Sequence, residues 1–215
     1  FNIYIKKSKI KLNKDQIKSL NKLKNFGRIF NVSVLEGVTG SGKTLVYFER
    51  IREIVNKGFQ ALILLPEIAL TNQFKSRFFD FFGSEPAIWH SKISKTNKKI
   101  IWRGVVDNKI KVVIGARSSL FLPFKKLGII IVDEEHDASY KQDEGVNYNA
   151  RDMAITRASI ENVPLHLVTS IPSVETYNNI INKKYNHTKL NKRFKNTPLP
   201  KFQLVDLSKN KPEKN

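Results

Sequence analysis

The stretch Gly37-Val38-Thr39-Gly40-Ser41-Gly42-Lys43-Thr44 constrains this chain more than any other. It matches G-x-x-x-x-G-K-[ST] in full, a pattern that functions only as the turn between a strand and a helix. The flanks agree. Val32–Leu35 reads as the entering strand, and Lys43–Lys57, closed by Gly58, reads as the leaving helix. Glycines let backbone N–H groups turn inward around phosphates, and the helix N-terminus adds partial positive charge. Gly37, Val38, Thr39, Gly40, Ser41 and Gly42 would form that cradle for a nucleoside triphosphate. Lys43 would reach its β/γ oxygens and the Thr44 hydroxyl would hold Mg2+.

The rest of the chain fits an α/β fold, a mainly parallel sheet with helices on both faces, because short apolar runs alternate with amphipathic stretches. Strands are expected at Ala61–Leu65, Ala87–Trp89, Val112–Ile114, Ile129–Val132 and Leu165–Val168. Helices are expected at Thr71–Phe82 (closed by Gly83), Ser94–Asp107, Arg151–Glu161 and Ser173–Lys183. Phe74, Phe78 and Phe82 recur at helical spacing, with Phe79 and Phe81 beside them; they read as core packed on the sheet rather than a partner-binding face.

Charge and composition narrow the partners. Lys and Arg number 38 against 19 Asp and Glu, a formal charge of +19. Two causes remain open: a polyanionic partner, or AT-rich coding, since the chain is also rich in Asn and Ile. There is no cysteine, which rules out disulfides, Cys-ligated zinc and a thiol nucleophile within the chain and accords with a cytoplasmic location. The longest apolar runs are strand-sized, so no membrane segment is expected. Phe1 is not an initiating Met, and the first residues carry no signal-peptide pattern. The 215 residues read as a piece of a longer chain with a polar tail at Lys209–Asn215.

A second cluster turns a binding loop into a hydrolysis site. Leu127-Gly128-Ile129-Ile130-Ile131-Val132 is an apolar strand that ends in Asp133-Glu134-Glu135-His136. Asp133 at the strand's end would hold the water shell of Mg2+, and Glu134 would polarise the attacking water.

Asp133–His136 is a D-E-x-H box, and with the phosphate loop it resembles the first RecA-like motor domain of superfamily 2 helicases. Leu65-Pro66-Glu67-Ile68-Ala69-Leu70-Thr71, Gly115–Phe124, and Asp133–Gln142 followed by Tyr148–Asp152 narrow the resemblance to the PriA family of primosomal replication-restart helicases. It runs from about Leu12 to Leu207. It implies an ATP- and Mg2+-dependent DNA helicase that unwinds forked or single-stranded DNA at stalled replication forks. Single-strand binding protein and other primosome proteins are the implied partners. Zinc is implied for the full-length family, although this chain holds no cysteine ligands for it. The implied organisation is a linker over residues 1–11, the ATP-binding domain over 12–188, and over 189–215 a connector towards a second RecA-like domain. A single lobe of such a pair would bind nucleotide weakly and turn it over slowly.

The resemblance also implies residue roles. Gln16, in Leu12–Gln16, would read adenine; otherwise it is a surface helix residue. His136 would link the nucleotide site to the DNA-sensing loop Tyr140–Asp152. In that loop Tyr140 and Tyr148 would stack on bases while Lys141 and Arg151 meet phosphates; ordinary packing is the other reading of the tyrosine pair. Arg117 and Ser118 would contact the DNA backbone, Arg117 being otherwise an internal salt-bridge partner. Lys75 and Arg77 read as solvated helix faces. Thr169-Ser170-Ile171 stands where the family has serine–alanine–threonine, so Thr169 and Ser170 would have to replace the hydroxyl lost at Ile171. Asn147 stands where an Arg usually precedes the last Tyr. Two other readings remain: a non-hydrolysing, nucleotide-gated DNA-binding lobe, and a different superfamily 2 translocase.

Overall fold

This computed structural model describes residues 11–193 apart from Phe26, Arg28, Leu70 and Glu144. The linker expected over residues 1–11, except its last residue, and the connector beyond Arg193, with Leu204–Leu207 and the polar tail, lie outside the described residues.

Every apolar run expected to be a strand is one, and all join a single parallel sheet. Its strands are β1 (Asn31–Gly37), β2 (Gln60–Leu64), β3 (Ala87–Trp89), β4 (Val112–Gly115), β5 (Leu127–Asp133), β8 (Pro164–Thr169) and β9 (Asn186–Leu190). They lie in the order β3-β4-β2-β5-β8-β1-β9. Sequence periodicity does not reveal β9, whose Asn186-His187-Thr188-Lys189-Leu190 has no apolar run. It forms on the sheet edge by pairing in register with Ser33–Gly37, and it crosses the boundary expected at residue 188.

Helices α1 (Lys14–Lys24), α2 (Lys43–Asn56) and α3 (Asn72–Phe82) cover one sheet face. Helices α4 (Lys95–Val106), α5 (Ala150–Ile160) and α6 (Val174–Ile181) cover the other. Strands buried on both faces need apolar side chains at consecutive positions. β5 shows the split: Ile129 and Ile131 enter the α1–α3 core, whereas Ile130 and Val132 enter the other. Phe74, Phe78, Phe81 and Phe82 surround the buried Phe48 ring at 5.2–5.8 Å, which bears out the core reading; Phe79 faces outward.

Helix ends follow local chemistry. Ser94, Thr71 and Ser173 each accept a hydrogen bond from the backbone N–H three residues on, satisfying a donor that the helix leaves free. At or just past the C-termini, left-handed residues turn the chain towards the next strand: Gly58, Gly83, Asn108, Asn162 and Lys183. Glycine and asparagine suit that conformation; lysine does not. α1 was expected only through the alternative reading of Gln16 as a surface helix residue. Asn13 caps it in a reciprocal box with Gln16, a signal readable as N-x-x-Q.

Candidate nucleotide site

A parallel sheet places all strand C-termini on one rim, and ligand-binding loops collect there. Here that rim carries the phosphate loop leaving β1, Asp133 at the end of β5 with Glu134 just beyond it, and Thr169 at the end of β8. A pocket of about 570 Å3 opens among Thr39, Gly40, Gly42, Lys43, Thr44, Leu45, Arg77, Asp133 and Glu134.

The loop owes its shape to glycine at particular points. Gly40 and Gly42 have φ of 81° and 82°, in the left-handed region where side chains are strained. Gly42 faces a second restriction: a Cβ there would lie 2.3 Å from Gln16 Nε2. Gln16 is fully buried. Its Nε2 donates to the Ser41 carbonyl at 3.0 Å while its Oε1 accepts from Asn13 N at 2.9 Å. The surface reading of Gln16 is therefore wrong, because its amide ties α1 to the loop. The Lys43 ammonium donates to the Gly37 carbonyl at 2.7 Å, and Val38 N donates to the Leu190 carbonyl of β9 at 3.2 Å.

Asp133 lies across the pocket from the loop. Its Oδ2 accepts from the Tyr47 hydroxyl at 2.8 Å and its Oδ1 from Glu134 N at 3.0 Å. Burial, together with the Glu134 charge, pushes the Asp133 carboxyl up to about 6, although the Tyr47 bond and Lys43 pull the other way. Burial and the Asp133 charge raise the Tyr47 phenol well above its ordinary range, so it serves as a donor throughout the usual pH range. Glu134 has φ of 47°, a left-handed backbone that costs a non-glycine residue on the order of 1–3 kcal/mol. Its side chain is partly exposed at the pocket wall.

The box continues into a buried polar hub. Glu135 Oε1 accepts from Ser173 N at 2.8 Å, and Oε2 accepts from Thr176 Oγ1 at 3.0 Å, Ser173 Oγ at 3.1 Å and Arg151 Nη1 at 3.3 Å. One carboxylate thus clamps the start of α6 and the start of α5 to the end of β5. Beside it, His136 Nδ1 lies 2.8 Å from Thr169 Oγ1. The same hydroxyl donates to the Ile171 carbonyl at 2.7 Å, while the Ile171 side chain is 72% exposed.

The expected DNA-side residues separate into two groups. Tyr140 is not available for stacking: it is 1% exposed, and its hydroxyl sits 2.5 Å from the Asp133 carbonyl and 3.0 Å from that of Leu64. Arg151 is also turned inward, 8% exposed, with its guanidinium held by Glu135, Asp152 and Glu175. Burial lowers its pKa, but Asp152 and Glu135 outweigh that and raise it further above its ordinary value. Lys141, Tyr148, Arg117, Ser118 and Ser170 keep exposed or partly exposed side chains. Arg117 Nη1 donates to the Lys141 carbonyl at 2.6 Å, in place of an internal salt bridge, and ties the turn after β4 to a small hairpin. That hairpin pairs β6 (Lys141–Gln142) with β7 (Tyr148–Asn149), and the Tyr148 ring meets Phe121 edge-on at 5.7 Å.

Tyr47, Arg77 and Glu135 had no assigned role in the sequence. Tyr47 sits at helical position i+4 from Lys43, on the face towards β5, which is the one signal that could have found it. Arg77 is exposed, as expected of a solvated face, yet lines the pocket.

Comparison with known proteins places this geometry. The family model described as "Type III restriction enzyme, res subunit" matches residues 9–191. Replication restart protein PriA of Rickettsia conorii is 52% identical over 183 residues, covering 85% of this chain and 28% of that protein. The Haemophilus influenzae PriA is 42% identical over 200 residues, covering 93% of this chain and 27% of its own length. The chain thus spans about a quarter to a third of the curated relatives it matches. Among solved structures, RecG bound to a three-way DNA junction aligns with a TM-score of 0.61 and 22% identity, over 85% of this chain and 24% of that one. The UvsW helicase of bacteriophage T4 aligns with a TM-score of 0.58 and 19% identity, over 89% and 64%. At those identities the structures speak for the RecA-like helicase fold.

Proposed function

Since this chain belongs to the PriA family of replication-restart proteins, within the wider family matched by the restriction-subunit model, we propose that it is the ATP-binding motor domain of a DNA helicase acting at stalled forks. The observation that carries this reading is one pocket lined by Thr39, Gly40, Gly42, Lys43 and Thr44 of the phosphate loop and, facing them, the Asp133–Glu134 pair.

The residues divide the work by position. Gly37–Gly42 and the start of α2 receive the phosphates, and Lys43 leaves the Gly37 carbonyl to meet the β/γ oxygens. Gln16, its buried amide bound to Asn13 and Ser41, braces the loop and would read adenine only by releasing those bonds. Asp133 and Thr44 suit Mg2+, which takes a carboxylate, a hydroxyl and phosphate oxygens rather than a dense protein cage; no cluster of three or more acidic or His ligands exists among the described residues. A buried carboxylate raised to about 6 gains most from a cation beside it. When bound, Mg2+ supplies charge neutralisation on the transferred phosphate. Glu134 orients the attacking water and takes its proton.

Coupling to DNA would run through His136 and Thr169, with Arg117, Ser118, Lys141, Tyr148 and Ser170 offering the outward surface. Arg151 would act inside this linkage, holding Glu135. No described helix is long and apolar enough to cross a membrane, and a cytoplasmic site of action belongs to the same proposal. So do single-strand binding protein and primosome proteins as partners. The test is ATP hydrolysis by the complete gene product with and without forked DNA. Stimulation by DNA that disappears in Glu134→Gln and in Lys43→Ala supports the proposal; hydrolysis indifferent to DNA overturns it.

A further inference from the structure

Far from the nucleotide pocket, at the β3 edge of the sheet, a second depression of about 330 Å3 is lined by Trp89, Lys98, Lys99, Trp102 and Arg103. These are the only two tryptophans in the chain. Trp89 ends β3, and Trp102 stands on α4, 46% exposed. Neither indole has a ring partner among the described residues. AT-rich coding can inflate lysine, but it does not place both tryptophans in one depression.

The charge around them is one-sided. From Ser91 to Val106 the chain carries Lys92, Lys95, Lys98, Lys99 and Arg103 and no carboxylate. Lys95, Lys99 and Arg103 follow one another at i, i+4 along α4, a like-charge spacing that weakens an isolated helix. Lys98 donates to the Ser91 carbonyl at 3.3 Å; no salt bridge to Lys98, Lys99 or Arg103 exists among the described residues. The buried side of α4 is satisfied by Ile101 and Val105, so the exposed indole and cations are not needed for packing.

We propose that this depression is a binding site for single-stranded nucleic acid, with a base seated against Trp102 and Trp89 and backbone phosphates along Lys98, Lys99 and Arg103. Flat apolar faces between cations match the alternation of base and phosphate in an unpaired strand. An acidic peptide would use the charges and leave the indoles without a flat partner. The site adjoins the turn carrying Arg117, since Ala116 N donates to the Trp89 carbonyl at 3.1 Å. It would therefore extend the DNA-facing surface of the proposed function, on which it rests, towards the β3 edge; it does not require ATP turnover.

Intrinsic fluorescence reports on the site directly, because both tryptophans line it. The 215-residue chain is titrated with oligo(dT), with a duplex of equal charge and with polyglutamate, each over a salt series. Saturable quenching by oligo(dT), stronger than by the other two, is expected. Trp102→Leu should weaken binding on the order of tenfold, read from Trp89. The triple change Lys98→Glu, Lys99→Glu, Arg103→Glu should reduce the slope of log affinity against log salt by about 2. Lys43→Ala should leave the quenching intact, so that failure of the motor reading and failure of this one are told apart. Equal quenching by duplex or polyglutamate, or oligo(dT) affinity unchanged in both variants while their melting temperatures match the parent, overturns the proposal.

Discussion

The Thr169 hydroxyl lies 2.8 Å from His136 Nδ1 and also donates to the Ile171 carbonyl, so one side chain joins the box to the turn after β8. In the proposed function it would supply the hydroxyl that Ile171 lacks. Replacing it with an isosteric apolar group should separate the two steps: Thr169→Val is expected to keep basal ATP turnover within about twofold and to cut DNA-stimulated turnover roughly tenfold, the effect of one lost hydrogen bond of about 1–1.5 kcal/mol. Paired ATPase assays with and without forked DNA check it.

Tyr47 holds Asp133 from inside the fold. Tyr47→Phe removes a donor to a buried carboxylate, a bond of about 1.5–3 kcal/mol. The carboxyl then rises further above 6, and Mg2+-dependent nucleotide affinity at pH 7 should fall on the order of tenfold. Titration with a fluorescent ATP analogue, with and without Mg2+, should show the loss only in the presence of the metal.

Asp133 also costs stability. Its folded-state pKa of about 6 exceeds the ordinary 3.8, so the native state binds the proton more tightly than the unfolded chain. Its destabilising effect therefore grows as pH rises from about 4 to about 6 and is complete at neutrality, at about 3 kcal/mol by linkage. Asp133→Asn should raise the melting temperature at pH 7 while abolishing hydrolysis. An unchanged or lower melting temperature would contradict the burial argument.

His166 acts in the opposite sense. Burial, with the Arg50 charge nearby, lowers its pKa to about 3, and its ring is fully buried on β8. The unfolded chain takes up the proton near 6.5, so stability falls as pH drops from about 6.5 towards 3, by up to about 1.4 kcal/mol per pH unit. Denaturant midpoints at pH 7 and pH 5 should differ less in His166→Leu than in the parent protein.

Much of this was readable before the fold was known, for identifiable reasons. The phosphate loop and the D-E-x-H box are legible because their chemistry needs fixed residue types at fixed spacing, and β2 and β5 because buried strands need unbroken apolar runs. β9 was hidden because an edge strand buries only one residue in two or three, here Thr188 and Leu190. Tyr140 misled because a tyrosine in a polar loop looks exposed in sequence, whereas two strand-end carbonyls draw its hydroxyl inward. Glu135 and Arg151 were opaque for a related reason: sequence shows two charges, and only the tertiary fold shows that each satisfies the other.

Lys183 is the one left-handed residue among the turns after α2–α6 that is neither glycine nor asparagine. Lys183→Gly should stabilise the chain by about 1 kcal/mol, provided relief of backbone strain exceeds the entropy glycine adds to the unfolded state. Chemical denaturation of the two proteins side by side decides it.

The single direction of the sheet gives the molecule two rims with different tolerances. One carries the pocket, where a misplaced methyl group at Gly42 would collide with Gln16. The other carries turns such as Gly58, Asn108 and Asn162, whose duty is to reverse the chain. For anyone wishing to tether this domain to a surface or attach a dye, the turn rim is the handle: an attachment beside Asn108 or Asn162 leaves the opposite rim, with its pocket, unencumbered.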